Sequence, residues 1–240
     1  MSKADDVAAP MGAIRFVRPR WLVIIIRHPS AALLMAQLLG LLLYPFIEHT
    51  RPARALLGAF GVLVLMLAIS MVQRTRGRGW ISACMAVPAI VLNVLDLAWG
   101  MPQLRPWWAV FEAAFYFYAA GCLIRYMLAD RRATTDELFA AGATFTLLAW
   151  AFTYVFVLCQ VLQPGCFSAA VNPGAPRSWT ELMFLSFALM SSTGIGDVIP
   201  ITVHARAVAS LEMFVGVMYI ALVVSRLIGL SVLRREETRE

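Results

Sequence analysis

Apolar runs of about 20 residues, each long enough to cross roughly 30 Å of hydrocarbon, follow one another along this chain with only short polar breaks between them. They fall near residues 31–47, 55–72, 80–99, 107–128, 137–162 and 204–230. A soluble domain has no interior large enough to bury such blocks, and the runs lack the polar stripe of a surface helix. Across 240 residues, 61% are hydrophobic and 14% charged, which excludes a soluble globular protein, a disordered chain and a disulfide scaffold. Three cysteines, Cys84, Cys122 and Cys159, lie inside apolar runs and Cys166 lies in a polar loop, so they form no zinc pattern and are expected to be isolated thiols.

The net charge of +6 needs no nucleic acid in a membrane chain, because the anionic inner leaflet attracts the same basic residues. Lys3, Arg15, Arg18, Arg20 and Arg27 precede the first run. Arg74, Arg76 and Arg78 lie in the second connection, Arg131 and Arg132 in the fourth, and Arg234, Arg235 and Arg239 in the tail. Basic residues on alternate connections predict six spans with both termini cytoplasmic, in a multi-pass cell-membrane protein whose ordinary partners are membrane lipids. The stretch Trp21–Ile26, broken by Arg27, His28 and Pro29, reads as an interfacial segment or as topology-setting charge rather than a cleaved signal.

Between the fifth and sixth runs lies an apolar segment, 179–190, too short to cross and therefore expected to re-enter from the outer side under cover of protein or water. Ser178 followed three residues later by Glu181 is a capping-box pattern, and Leu182–Leu189 continues directly from it. The helix so capped aims its negative end inward, where a cation would be favoured. It runs into Ser191-Ser192-Thr193-Gly194-Ile195-Gly196-Asp197, then Pro200 and a further apolar helix. Carbonyl oxygens that replace the water shell of an ion must point at one axis. Alternating right- and left-handed dihedrals achieve this, and glycine adopts them at little steric cost.

In these residues the segment Ser178–Leu230 resembles the pore module of the potassium channel superfamily, whose filter reads Thr-Val-Gly-Tyr-Gly-Asp where this chain has Ser192-Thr193-Gly194-Ile195-Gly196-Asp197. Pro200, Arg206 and Gly216 stand three, nine and nineteen residues after the aspartate, as they often do in that family. The resemblance implies an all-α membrane protein of the bacterial type: six helices, a re-entrant pore helix and filter loop between the fifth and sixth, and four copies around one pore. Domains follow as a cytoplasmic or interfacial segment (1–30), a peripheral four-helix domain (31–136), a pore domain (137–231) and a short cytoplasmic tail (232–240).

The same resemblance assigns the site. Ser192, Thr193, Gly194, Ile195 and Gly196 would bind the ions, with Asp197 at the outer mouth and Ser178, Glu181 and Glu212 supporting the filter. Gly216 would serve as a hinge, or pack closely against a neighbour. Val217, Ile220, Val224 and Ile228, at three- and four-residue spacing on one helix face, would line a greasy inner cavity or face lipid. The expected function is passive, potassium-selective conduction by a homotetramer, with no enzyme activity, small-molecule substrate or cofactor beyond potassium ions in the filter. Isoleucine at 195 removes the ring that braces the family's filter, so a nonselective sodium and potassium pore is the alternative. An auxiliary subunit or a secondary transporter is a further one, though no inverted repeat is present. The fourth run, 107–128, carries Glu112 and a single basic residue, Arg125. Each charge gains only about 2.3 kcal/mol per 100 mV, which predicts weak or no voltage gating. Asp96 and Glu112, acids within spans, need partners, and Asp96 is expected to pair with Arg125 or another inner basic group.

Overall fold

The computed structural model describes residues 28–47, 64, 66–70, 79–99, 102–129 and 135–237, and the fold is all-helical apart from one pair of short strands. Helix α1 is Pro29–Ile47, α2 Gly79–Trp99, α3 Arg105–Ala129, α4 Thr135–Leu162, α5 Trp179–Met190 and α6 Val203–Glu237. Strands β1 (Phe167–Ala169) and β2 (Val198–Pro200) pair antiparallel on either side of α5 in the chain, with Ser168 opposite Ile199. Five of the six expected apolar runs coincide with these helices. Of the run at 55–72, residues 64 and 66–70 are described and helical. The segment Trp21–Ile26 and the basic residues at 74–78 lie outside the described residues.

Among the described residues, three helices are long and apolar enough to cross a membrane: Arg105–Ala129, Thr135–Leu162 and the part of α6 from Val203 to Val223. Helix α6 continues beyond residue 230, to Glu237. Its apolar run ends there, but Leu, Arg and Glu continue to favour helix, so most of the expected tail is helical.

Helix α4 is the hub. It is apolar on every side and packs against α1, α3, α5 and α6. Its buried Thr144, Thr146 and Thr153 turn their hydroxyls back to the carbonyls of Ala140, Gly142 and Ala149, which satisfies them without leaving the helix. Against α3 it builds an aromatic core. Tyr116 meets Trp150 edge-on at 5.6 Å and stacks on Tyr154 at 5.7 Å, while Phe117 meets Phe152 at 5.1 Å. Trp150 and Tyr154 continue this core to Trp179 at the start of α5, at 6.0 and 6.2 Å. Glu112 is buried beside Trp108 and Tyr116 in the same region.

The first turn of α4 gathers the other helices at the opposite end. Asp136 accepts hydrogen bonds from Ser30 N (3.2 Å), Ser30 Oγ (2.9 Å) and Tyr126 Oη (3.3 Å), joining α1 and α3 to α4. Its neighbour Glu137 pairs with Arg226 of α6 at 3.5 Å. Arg125 is exposed, and the side chain of Asp96 lies outside the described residues.

Candidate functional site

Helix α5 begins where its sequence signature predicts. Ser178 Oγ accepts from Glu181 N at 3.2 Å, and Glu181 Oε2 accepts from Ser178 N at 2.7 Å, so two N–H groups that a helix start leaves unpaired are satisfied reciprocally. The other carboxylate oxygen of Glu181 accepts from Arg177 at 2.9 Å. Twelve residues later the helix stops at a tight turn. Ser191 N donates to Phe187 O, Ser192 N to Leu189 O, and both Thr193 N and Gly194 N to Ala188 O at 3.0 and 3.2 Å.

Beyond that turn the backbone alternates. Ser192, Gly194 and Gly196 have φ of 58°, 61° and 74°, while Thr193 and Ile195 between them keep negative φ. Glycine takes the left-handed form freely; at Ser192 it costs about 1–2 kcal/mol, and the two amides anchored on Ala188 O hold the chain in it. Ser191 Oγ contacts Thr193 Oγ1 and donates to Phe187 O, tying the hydroxyls of the entry to the end of α5. Every residue from Ser191 to Asp197 is exposed on the single chain, Ile195 by 60%. A cavity of about 180 Å³ lies between this stretch and α5, lined by Phe184, Leu185, Ala188 and Leu189 on the helix side and by Gly194, Gly196 and Val198 among others opposite. Backbone bonds from Thr193 and Gly194 to Ala188 O hold the inner half of the stretch to α5, and open space lies beside its outer half.

Glu212, fully buried on α6, meets the Ser186 hydroxyl of α5, which also lies 2.7 Å from Ala149 O of α4. Three helices meet at this polar point. Next to it, Gly216 lies against the end of α5, where an added Cβ would lie 2.3 Å from Met190 O, closer than any real contact. Close packing alone therefore requires glycine there, and α6 runs through the position unbroken. Ala205, Ala209, Glu212, Gly216 and Tyr219 form the buried face of α6, and Tyr219 Oη donates to Ala141 O at 2.6 Å. Val217 and Ile220 lie off that face, 52% and 40% exposed. Val224 and Ile228 belong to α6, but their side chains lie outside the described residues.

Sequence reading missed the role of Arg177 as more than a loop charge, and it missed the strand pair. Cys166, expected in a polar loop, is instead fully buried with Phe156, Phe167, Leu182 and Val198. Burial, with Cys159 nearby, pushes its thiol up to about 11. All four cysteines are free thiols.

A capped half-helix set between two apolar helices thus continues into an exposed backbone of alternating handedness. Residues 142–231 match the family model described as an ion channel, from within α4 to within α6, so the match takes in α5, the alternating stretch and the strand pair. Over these residues the chain is similar to ion channels of the potassium channel superfamily. No curated protein and no solved structure matches the chain at a significant level.

Proposed function

We propose that the protein is a passive potassium channel formed by four copies of the chain, each with six spans and both termini cytoplasmic. The observation that carries this reading is the alternation at Ser192, Gly194 and Gly196, which lets successive carbonyls of residues 192–196 turn toward one axis and replace the water around a cation. One chain supplies one such strand. Its full exposure, and the bare face of α6 beside it, suit a ring of copies closing around an ion path. Asp197 stands at the outer mouth and concentrates cations there. Val217, Ile220, Val224 and Ile228 line the cavity below, where an apolar wall closes by dewetting. No catalytic cycle and no cofactor other than potassium is needed.

A nonselective cation pore is the second reading, favoured by Ile195, whose exposed aliphatic side chain supplies no ring to brace the filter. The test is the reversal potential of the purified protein in planar bilayers with potassium opposite sodium, repeated with Gly194→Ala. A β-carbon at φ 61° is strained, so the variant should lose the current. Reversal near the potassium limit is expected of the wild type; reversal near zero selects the second reading, and a current indifferent to Gly194 overturns both.

A further inference from the structure

Arg177 stands immediately before the capped start of α5 and is 5% exposed, although the loop residues 171–176 before it are all exposed. Its guanidinium makes five hydrogen bonds: Nε to Ala175 O (3.0 Å), Nη1 to Val171 O (3.3 Å) and Glu181 Oε1 (2.9 Å), and Nη2 to Asn172 O and Ala175 O. Its backbone is gripped from α4. Gln160 Oε1 accepts from Arg177 N at 2.8 Å, and Gln160 Nε2 donates to Arg177 O at 2.9 Å. A planar fork with five donors is the one side chain that can gather three carbonyls and a carboxylate at once.

The loop that Arg177 gathers leads directly to the exit of the alternating stretch. Ala170 N, one residue after β1, donates to Asp197 O at 3.3 Å, and β1 then pairs with β2, which follows Asp197. At its other end β1 is closed by Ile201 N donating to Cys166 O at 2.9 Å. A continuous series of hydrogen bonds therefore runs from Gln160 of α4 through Arg177, the loop and β1 to the backbone beside Gly196. Gly194 N is tied to Ala188 O of α5, while a cavity lies beside Gly196 and Asp197 on that side, so the outer end of the stretch depends on the β1 side for its restraint.

We infer that Arg177 is a positioning residue for the filter: through the 170–175 loop and the β1–β2 pair it fixes the outer end of the carbonyl row that Ile195 leaves without an aromatic brace. The assignment rests on the channel reading above for its effect on ions, but the restraint itself is a property of the backbone. Removing the guanidinium frees three carbonyls and leaves Glu181 without its buried cation, so the loop loosens and Asp197 O loses its fixed donor. Ions are still conducted, because the inner end of the row remains anchored on Ala188 O, while the discrimination that depends on a held geometry is lost.

The experiment uses the full chain in proteoliposomes, as Arg177→Met, Arg177→Lys and Ala170→Pro. The last variant removes the N–H that reaches Asp197 O and fixes φ at that position, with Ala169 before it already extended as proline requires. Hydrogen exchange of peptides covering 191–200 should accelerate about tenfold in Arg177→Met, the scale of one hydrogen bond to a charged group, and severalfold in Ala170→Pro, which removes a bond between neutral backbone groups. The potassium-to-sodium permeability ratio should fall by a similar factor, with potassium unitary conductance unchanged and exchange in 140–156 unaltered. Arg177→Lys should fall between wild type and Arg177→Met, since an ammonium reaches fewer of the acceptors. Should Arg177→Met fail to fold, Ala170→Pro and Gln160→Ala carry the same comparison. Unchanged exchange at 191–200, equal loosening across α4, or faster exchange with the permeability ratio intact each overturns the assignment. A wild type that passes no cation current defeats the channel reading instead, and exchange alone then decides whether Arg177 holds the stretch.

Discussion

At position 216, α6 passes so close to the last turn of α5 that a Cβ would lie 2.3 Å from Met190 O and 2.8 Å from Met190 Cα. Both are backbone atoms, which cannot swing aside as a flexible side chain would. Gly216→Ala is therefore expected to cost roughly 1–3 kcal/mol, as overpacking does, and to displace the turn that leads into Ser192. Gly229 gives the control, because nothing lies within 4 Å of a Cβ there. Gly229→Ala should be neutral or stabilising by up to about 1 kcal/mol through helix propensity. Thermal melting in detergent separates the two, and an unchanged melting temperature for Gly216→Ala would leave hinge freedom as the reason for glycine. Cys166 makes a second residue-level prediction. Its folded thiol, raised from 9.0 to about 11, keeps its proton at neutral pH, so a maleimide at pH 7.5 should leave it unmodified until the protein is denatured. By linkage, the stability that the neutral thiol supports is complete below about pH 9 and is lost as pH rises through 11. Alkaline melting curves should accordingly be shallower over that window in Cys166→Ala.

Helix α5 is the element on which the site depends, and most of it was legible in the sequence because its signals are local. Ser178 and Glu181 sit three apart before an apolar run, and the glycines that permit left-handed backbone announce the stretch after it. Ser178→Ala should cost about 1 kcal/mol, the usual value of a lost N-cap. Glu181→Ala should cost more, about 2 kcal/mol, because it also takes the carboxylate from Arg177, and bonds to charged groups are the stronger kind. The two values are compared by chemical or thermal unfolding, and a Glu181 effect no larger than that of Ser178 would mean that Arg177 needs only its carbonyl partners. The strands were not legible. Each is three residues long and shows no alternation, and they pair Ser168 with Ile199 across the whole of α5, a contact no local pattern encodes. Arg177 was hidden for the same reason: its sequence neighbours mark it as an exposed loop charge, and only the folded loop turns their carbonyls toward it. Five of the six apolar runs marked described helices, but apolarity does not tell a buried face from a lipid face, so the central place of α4 and the buried stripe of α6 had to come from packing.

In the whole molecule, that distinction bears on how copies would meet and move in the proposed channel. Of the apolar window in α6, 22% is buried, against 56% in α4, so α6 keeps a face for neighbouring copies or for lipid while α4 is enclosed. The buried face of α6 looks toward α4, and the Val217 and Ile220 side looks away from it, toward the axis in the proposed assembly. Past that stretch one ion pair, Arg226 with Glu137 at 3.5 Å, joins the inner part of α6 to the first turn of α4, with side chains 20% and 4% exposed. Asp136 beside it binds α1 and α3, so this turn anchors α6 to the periphery as a unit. A pair that draws α6 toward α4 draws it away from the axis, which favours a wide inner mouth. Glu137→Gln and Arg226→Gln are each expected to lower the open probability roughly threefold to tenfold and to lower stability, with a coupling energy of roughly 0.5–3 kcal/mol between them. Because both remove the same interaction, the double variant should do no worse than the more affected single one. Single-channel recording with the double-mutant cycle checks this: additive effects would mean that the two residues act separately, and a raised open probability would mean that the pair holds the inner mouth shut. The reversal potential should stay where it is in all three variants, since the proposed carbonyl row is anchored through Ala188 O of α5 and Asp197 O of the loop before α6, away from this pair.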